Sequence, residues 1–302
     1  MRGIKRTPVH WVRRGVQLAF IAAFVVMAWA TTYPPSGAFN ENLFLRLDPL
    51  AAFAAARSSS LWLYLLPAWI LLGLTLVSGR FFCGWICPLG SGLEMIPSLE
   101  NRRRKKISRL RPRDVTGKTI GRSDLRLRVK YVFFALLMLL LLLGVNAIWI
   151  FDPLIIANRA VLFVFLGIVP VLFIALVVLA VVVGPRFWCQ EMCPLGACLS
   201  LVSMAGSGLP AAASPLALVK DEEACIHCGK CACACPFGIT AVADSEKTGR
   251  LSIADCALCG ECVAACPREG ALSLRSFGAP LLLSHRVRGD GDALEEVLTC
   301  ET

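Results

Sequence analysis

The sequence has few charged residues and almost no histidine. Only 17% of its 302 residues are charged and 57% are hydrophobic, whereas soluble domains average about 25% charged residues. The three histidines, His10, His227 and His285, lie outside the long apolar stretches, which excludes a membrane haem held by two histidines. Motifs for nucleotide phosphates or for a Ser-His-Asp nucleophile are also missing. The composition therefore favours a membrane protein without these chemistries.

Four apolar stretches are about as long as a bilayer-spanning helix, which needs about 20 residues. They are Gly15–Thr32, Leu61–Ser78, Tyr131–Phe151 and Val161–Gly184, and none has a charged residue in its interior. Trp and Tyr occur near their ends, as they do at membrane interfaces. We expect four transmembrane helices within a membrane domain of residues 1–204.

Lysine and arginine are concentrated in one connecting segment. Residues 80–130 contain 14 Lys and Arg against 4 Asp and Glu, whereas the loops before and after this segment have few. Cytoplasmic loops are rich in these residues, so we expect an inner-membrane protein with both termini and the C-terminal domain cytoplasmic. The run Arg102–Lys106 then faces anionic lipid, not nucleic acid. Two alternatives are a signal cleaved near Ala28–Ala30 and an export signal at Arg13–Arg14.

The membrane part contains an internal repeat. LDPL at Leu47–Leu50 is followed by RFFCGWICPLG at Arg80–Gly90, and FDPL at Phe151–Leu154 is followed by RFWCQEMCPLG at Arg186–Gly196. Such a duplication predicts two related helix pairs. The Asp-Pro pairs, which begin at Asp48 and Asp152, are expected to start helices. The alternative is a quinol site in which Asp accepts a proton.

Fifteen cysteines are present, and nine of them lie between Cys225 and Cys266. Two C-x2-C-x2-C-x3-C-P runs occur there, the pattern of bacterial ferredoxins with two 4Fe–4S clusters, in which the fourth cysteine of each run binds the other cluster. Structural zinc is the alternative, but zinc sites take two cysteine pairs separated by a longer loop. We assign Cys225, Cys228, Cys231 and Cys266 to one cluster, and Cys256, Cys259, Cys262 and Cys235 to the other.

Each copy of the membrane repeat ends in a C-x3-C-P motif, with Cys83 and Cys87 in one and Cys189 and Cys193 in the other. On a helix, residues four apart share a face, so the two pairs could meet across a pseudo-two-fold axis. Four thiols there could bind a metal or a further cluster, form redox-active disulfides, or take part in docking. The alternative is that they are small buried residues.

The chain changes composition after the second repeat. Residues 205–215 are rich in Ala, Gly, Ser and Pro, which is typical of a linker, and the tail 276–302 has no strong pattern. We expect a mainly α protein, with a four-helix transmembrane bundle of two repeated helix pairs. An α+β bacterial dicluster ferredoxin domain at 216–275 follows it.

Taken together, these features resemble the NapH-type membrane ferredoxins associated with periplasmic nitrate reductase systems. The two RF-x-C-x3-C-P-L-G segments are the more specific part of the resemblance, which covers about residues 10–275. It implies an electron carrier or quinol dehydrogenase subunit, with lipid, a quinol and another iron–sulfur or cytochrome protein as partners. NosR-type and CcoG-type proteins have similar motifs but large extra domains. A copper reductase or assembly factor, a redox sensor and a structural anchor are the alternatives.

Overall fold

The computed structural model describes residues 8–30, 43–55, 65–95, 122–182, 188–208, 214–237, 239 and 241–284. Its helices are α1 Pro8–Ala30, α2 Leu43–Arg46, α3 Pro49–Ala55, α4 Leu66–Ser78, α5 Phe81–Trp85, α6 Pro88–Met95, α7 Arg122–Leu142, α8 Ile148–Phe151, α9 Pro153–Phe165, α10 Val171–Val182, α11 Pro194–Ala205, α12 Lys230–Ala234, α13 Ala241–Asp244 and α14 Glu261–Ala265. A π-helix, Trp188–Met192, precedes α11 and a 3₁₀ turn, Gly206–Gly208, follows it. The strands are β1 Ala217–Lys220, β2 Gly249–Arg250, β3 Leu272–Ser276 and β4 Ala279–Leu283.

The two sequence repeats fold into the same order of elements. Helices α3 to α6 form the first copy, and α9, α10, the π-helix and α11 form the second. In each copy an Asp caps the first helix: Asp48 Oδ1 accepts from the Leu50 amide at 2.9 Å, and Asp152 Oδ1 accepts from the Leu154 amide at 2.8 Å. Asp is a favourable cap and Pro suits the first helical position. The prediction that the Asp-Pro pairs start helices is confirmed.

One apolar core joins the two copies. Leu50 and Phe82 from the first copy pack in the same buried cluster as Leu154 and Leu195 from the second. Helix α11 packs against α3, α4 and α7, while α1 packs against α6 and α9. Phe24 of α1 is also buried in this core. The N-terminal helix is therefore an integral part of the packed structure.

Two glycines end helices inside stretches that the sequence predicts to be continuous spans. Gly144 follows α7 with φ +88° and Gly167 follows α9 with φ +70°. In each case the amide of the residue after the glycine donates a hydrogen bond to the carbonyl five residues earlier, at 2.9 Å after α7 and 2.8 Å after α9. This is the Schellman helix end, in which glycine supplies the left-handed conformation. The predicted span 131–151 is thus divided between α7 and α8, and the predicted span 161–184 between α9 and α10.

The lengths of the helices and the apolar character of their surfaces point to different conclusions about a membrane location. Among the described helices, α1 alone has the length and composition to cross a bilayer, over His10–Trp29. The outer surfaces of the shorter helices are nevertheless apolar, with Val132, Leu136 and Leu139 exposed on α7 and Val171 and Val178 exposed on α10. The interior, by contrast, holds several polar side chains: Arg13, Gln17, Asp48, Thr75, Arg80, Lys130 and Asp152. Apolar surface of this extent marks an interaction surface.

The C-terminal domain is α+β, as predicted. Its four strands form an antiparallel sheet in the order β2-β1-β3-β4. Leu218 of β1 and Leu272 and Leu274 of β3 pack with Val242 of α13 and Val263 of α14. The sheet thereby covers α13, which follows the first cysteine run, and α14, which lies within the second.

Strand β4 extends this domain beyond the boundary predicted at residue 275. Phe277 and Gly278 adopt φ 47° and 83°, the two left-handed positions of a type I′ hairpin turn. The sequence did not indicate the hairpin, because Phe-Gly is an unusual pair for this turn and β4 lacks alternation of apolar and polar residues. Of the other predicted segments, the basic run at 102–106 and the tail from residue 285 lie outside the described residues.

Candidate iron–sulfur sites

The two ferredoxin-like runs share one backbone conformation. The residue before the second cysteine is left-handed in both runs, with φ 50° at His227 and at Leu258. The glycine after that cysteine is left-handed as well, with φ 67° at Gly229 and 77° at Gly260, and begins α12 or α14. Left-handed residues other than glycine are uncommon and cluster at functional sites. The repeated conformation wraps each loop around a cavity.

The first cavity brings together Cys225, Cys228, Cys231 and Cys266. All four thiols line this partly open cavity, and Cys231 lies within electrostatic range of the other three. Burial, followed by the neighbouring Cys228, raises the pKa of Cys231 to about 11. Because Cys266 follows α14, the fourth thiol of this set comes from the other run.

The second cavity brings together Cys256, Cys259, Cys262 and Cys235. All four thiols line this partly open cavity, and the first three each interact with Cys235, which comes from the first run. Burial is the main cause that raises the pKa of Cys256 to about 12. The amide of Ile239 donates to Cys235 Sγ at 3.4 Å.

Both cavities suit a 4Fe–4S cluster, which is held by four cysteine thiolates. Burial and mutual repulsion disfavour four thiolates beside one another, as the raised pKa values of Cys231 and Cys256 show. A bound iron centre would supply the positive charge that offsets this repulsion. The arrangement of the thiols fits the predicted cofactor, and their role as ligands is taken up below.

The four cysteines of the C-x3-C-P motifs form a third group, here called the quartet: Cys83, Cys87, Cys189 and Cys193. Cys193 lies within electrostatic range of the other three, and Cys87 interacts with Cys83 and Cys189. Burial raises the pKa of Cys189 to about 12, with Cys83 contributing next. The structure therefore brings both motifs to one buried place.

Each copy of the repeat supplies the quartet with an equivalent hydrogen bond. The amide of Gly90 donates to Cys87 Sγ at 3.5 Å, and the amide of Gly196 donates to Cys193 Sγ at 3.2 Å. Both sulfurs lie at a helix N-terminus, which favours the thiolate. A Cβ on Gly196 would lie 2.8 Å from the Arg80 guanidinium, so Arg80 would have to shift to admit a side chain there. Hydrogen bonds of this kind tune iron–sulfur centres.

A buried ion cluster connects the quartet with the second cavity. Arg80 Nη2 lies 3.6 Å from Cys83 Sγ, and Arg80 Nη1 donates to Asp255 Oδ1 at 2.8 Å. Lys130 and Ser200 also donate to this carboxylate oxygen. Asp255 directly precedes the first cysteine of the second run. One carboxylate thus bridges the helical part and the ferredoxin domain.

The ionisation of this cluster follows from its partners. Burial alone would raise the pKa of Asp255, but Arg80 and Lys130 together hold it below its ordinary value. Burial, and then Arg80, lowers the pKa of Lys130 to about 8. Two cations therefore lie beside the quartet and the second cavity, where they favour thiolates.

Helix α5 also touches the loop of the second run directly. A Cβ placed on Gly84 would lie 2.9 Å from both the Cβ and the carbonyl oxygen of Ala257. The Trp85 indole donates to the Leu258 carbonyl at 3.2 Å. The backbone of α5, the helix that carries Cys83 of the quartet, therefore lies against the backbone of the second cysteine loop.

Side chains of helix α1 also contact both parts of this junction. Arg13 is buried and pairs with Glu94 of α6 and, at 3.2 Å, with Glu261 of α14. Its Nε donates to the Gly84 carbonyl at 3.3 Å, and His10 Nδ1 lies 3.1 Å from Glu261. Arg13, considered above as part of an export signal, is here part of the interface between the two domains.

Sequence reasoning did not single out Arg80, Lys130 or Asp255. A pattern was available for Arg80, which opens RFFC and recurs as Arg186 in RFWC. Lys130 directly precedes an apolar stretch, where lysine is ordinary at an interface. No local pattern marks Asp255, because its partners are far away in sequence.

The thiol sets and the cysteine-loop fold together define a ferredoxin-type iron–sulfur protein. Comparison with known families agrees. A family described as a 4Fe–4S binding domain matches residues 60–108 and 163–210, which contain the quartet. A family described as a 4Fe–4S dicluster domain matches residues 217–267, which contain the eight cysteines of the two cavities.

The relatives of the chain include electron-transport and ferredoxin-type proteins. YccM of Escherichia coli (strain K12), whose name assigns it provisionally to electron transport, is 29% identical over 220 residues, which are 68% of this chain and 53% of YccM. The methylamine utilization ferredoxin-type protein MauN of Methylorubrum extorquens is 29% identical over 240 residues, 76% of each chain. MauN of Paracoccus denitrificans is 28% identical over 236 residues, 74% of this chain and 75% of MauN.

This chain spans about half the length of YccM. No solved structure matches it significantly. The relatives and the matched domains support an iron–sulfur protein of electron transport. The narrower NapH-type assignment belongs with the proposals below.

Proposed function

We propose that this chain is a membrane-anchored electron carrier that passes electrons between the quinol pool and a partner redox protein. The observation that supports this most is the junction between the quartet helix and the second cysteine loop. Gly84 and Ala257 are in close contact there, and Asp255 bridges Arg80 and Lys130. Two thiol sites held this closely are suited to exchanging electrons.

The ligands that we propose are the twelve cysteines of the three groups. The first and second cavities would each hold one 4Fe–4S cluster, with Cys235 and Cys266 crossing between the runs. The quartet would hold a third, because the family that matches its two segments is described as a 4Fe–4S binding domain. When bound, such clusters accept and donate single electrons, at potentials set by burial and hydrogen bonds to sulfur.

The contacts give the three sites an order along the molecule. The quartet adjoins the second cavity through Asp255, and Cys262 of the second cavity interacts with Cys231 of the first. The first cavity lies nearest to solvent, where Ile226 and His227 are exposed. A partner iron–sulfur or cytochrome protein would dock at this end.

A membrane anchor is supported by the surface of the helical part. Large apolar side chains are exposed on α1, α4, α7 and α10, while arginine and lysine are buried inside. This distribution suits lipid as the surrounding solvent. Together with the excess of Lys and Arg in residues 80–130, it supports an inner-membrane location with a cytoplasmic ferredoxin domain.

The resemblance to NapH-type proteins suggests nitrate respiration, whereas the MauN relatives are named for methylamine utilization. We propose the general role that these two groups of proteins suggest in common, that of an electron-transfer subunit serving a separate oxidoreductase. The quartet also favours a second candidate, a copper reductase, because clustered thiols suit a soft metal.

Metal analysis of the anaerobically purified full-length protein tests the proposed sites. We expect about twelve iron atoms and about twelve acid-labile sulfides per chain, since each 4Fe–4S cluster contains four of each. Replacing two ligands of the quartet, Cys87→Ser with Cys193→Ser, should lower both counts to about eight. Cys198→Ser is the matched control, because Cys198 is also buried on α11 but lies outside the quartet.

The iron and copper contents distinguish a third cluster from a copper reductase and from a thiol or disulfide site. About eight iron atoms in the wild type, together with copper that the double variant loses, would contradict a third cluster and favour the copper reductase. About eight iron atoms without copper would leave the quartet as a thiol or disulfide site. A loss of iron in Cys198→Ser would show that the variants disturb the fold and not the ligands.

A further inference from the structure

Two aspartates that the electron-transfer sites do not use meet inside the helical core. Asp48 and Asp152 begin equivalent helices of the two repeats, and both are fully buried, with 0% exposure. Each uses Oδ1 to accept the first amide of its own helix. The two carboxyl groups also lie close enough to interact with each other. The duplication therefore places two acids at one buried point.

The charged groups in the described residues do not neutralise this pair. Within the described part of the chain, neither carboxyl forms an ion pair with Lys, Arg or His. The Oδ2 atoms of Asp48 and Asp152 are buried and accept no hydrogen bond from another described residue. Two ionised carboxylates held so would repel strongly in a medium of low dielectric constant.

A hydrogen bond between two carboxyl groups needs a proton on one of them. Burial, and then the neighbouring Asp152, raises the pKa of Asp48 well above its ordinary value. Because both Oδ1 atoms are occupied by helix amides, the Oδ2 atoms remain for the shared proton. One proton leaves one negative charge, which the two helix N-termini stabilise.

We propose that Asp48 and Asp152 share one proton while the cysteine quartet is oxidised, and that the proton occupancy of the pair responds to the charge of the quartet. The response of the pair to the charge of the quartet rests on the proposed function, whereas the shared proton does not. When a one-electron donor such as dithionite adds one electron to the quartet site, the pair would take a second proton from water and become neutral, so that the net charge of the region stays constant. Oxidation would return the proton to water.

The two sites are close enough to interact. Asp48 lies within electrostatic range of Cys198, and Cys198 is on α11, whose capping residue is Cys193 of the quartet. The neighbours of the two aspartates, Leu50 and Leu154, belong to the same core cluster as Cys87 and Cys193. The buried hydrophobic side chains of this cluster screen charge weakly.

Infrared spectroscopy of the full-length holoprotein tests the shared proton. A protonated carboxyl has a carbonyl stretching band that a carboxylate lacks, and the band shifts in heavy water. We expect this band in the wild type, and we expect Asp48→Asn and Asp152→Asn each to abolish it completely. Asparagine also caps helices well, and its amide group can donate to the remaining carboxylate in place of the proton. Asp244→Asn, which changes an exposed aspartate, should leave the band unchanged.

Other patterns would overturn the shared proton. If each variant removes half of the band, the two acids are protonated independently. If one variant keeps the whole band, the proton belongs to a single residue. If the wild type and the double variant Asp48→Asn/Asp152→Asn have identical spectra, the pair holds no proton. Unchanged iron content in every variant shows that the fold is retained.

The response to charge is tested by the difference spectrum between dithionite-reduced and oxidised protein. We expect the carboxyl band to change in the wild type and to stay constant in Cys87→Ser/Cys193→Ser, although the static band remains in both. A band that does not change on reduction, in a protein that contains about twelve iron atoms, would overturn the coupling. If the iron count is about eight, the proposed function fails at the quartet, and the static band still decides the shared proton.

Discussion

Gly84→Ala tests the junction between the two domains. The added Cβ would lie 2.9 Å from the Cβ and from the carbonyl oxygen of Ala257, whereas carbon atoms pack best at about 3.5–4.0 Å. Relief requires the cysteine loop to move away from α5. Overpacking of this kind costs about 1–3 kcal/mol, which corresponds to an increase of about 5- to 150-fold in the undocked population.

The assay is amide hydrogen exchange of the full-length holoprotein, followed over residues 256–260. Exchange there should accelerate in Gly84→Ala, because these amides are protected by contact with α5. Gly92→Ala, on the neighbouring helix α6, is the matched control, since a Cβ at Gly92 meets nothing within 4 Å. Both variants gain helix propensity equally, so the difference isolates the contact. Equal exchange in wild type and Gly84→Ala would refute the junction.

Three further predictions follow from the ion cluster, the crossed thiols and the helix breaks. Asp255→Asn should weaken the docking of the ferredoxin domain by about 3 kcal/mol, because two buried cations lose their carboxylate. Limited proteolysis should then release the domain, while the exposed control Asp244→Asn stays intact. Cys235→Ser should remove the same EPR signal as Cys259→Ser, although the two residues belong to different runs; loss of two different signals would contradict the second thiol set. Gly167→Ala should destabilise the protein by about 1 kcal/mol, because a Cβ there meets no neighbour and only the left-handed backbone is strained. Circular dichroism melting checks this, and an unchanged Tm would count against the Schellman helix end.

The cysteine runs show how much local spacing determines. The three residues between Cys231 and Cys235, and the three between Cys262 and Cys266, belong to a short helix, which carries the fourth thiol away from its own run. The grouping of thiols could therefore be predicted from sequence alone. The same holds for Asp48 and Asp152, because Asp followed by Pro has a strong local preference for a helix start.

The helix breaks and the junction needed the structure. An apolar stretch predicts burial or a membrane span, but a single glycine decides whether the helix continues, as at Gly144 and Gly167. The bridge between Arg80 and Asp255 joins residues 175 positions apart, so no periodicity marks it. The meeting of Asp48 with Asp152 likewise depends on how the two repeats pack. Long-range packing, not local preference, sets these features.

The most direct test of the account is EPR of the anaerobically purified protein after addition of a reduced quinol analogue. The account predicts signals of reduced 4Fe–4S clusters in the wild type, and their absence in Cys87→Ser/Cys193→Ser, in which dithionite should still reduce the two clusters of the ferredoxin domain. If quinol reduces no cluster in the wild type, or reduces the ferredoxin clusters equally well in the double variant, electrons do not enter through the quartet and the central claim is contradicted.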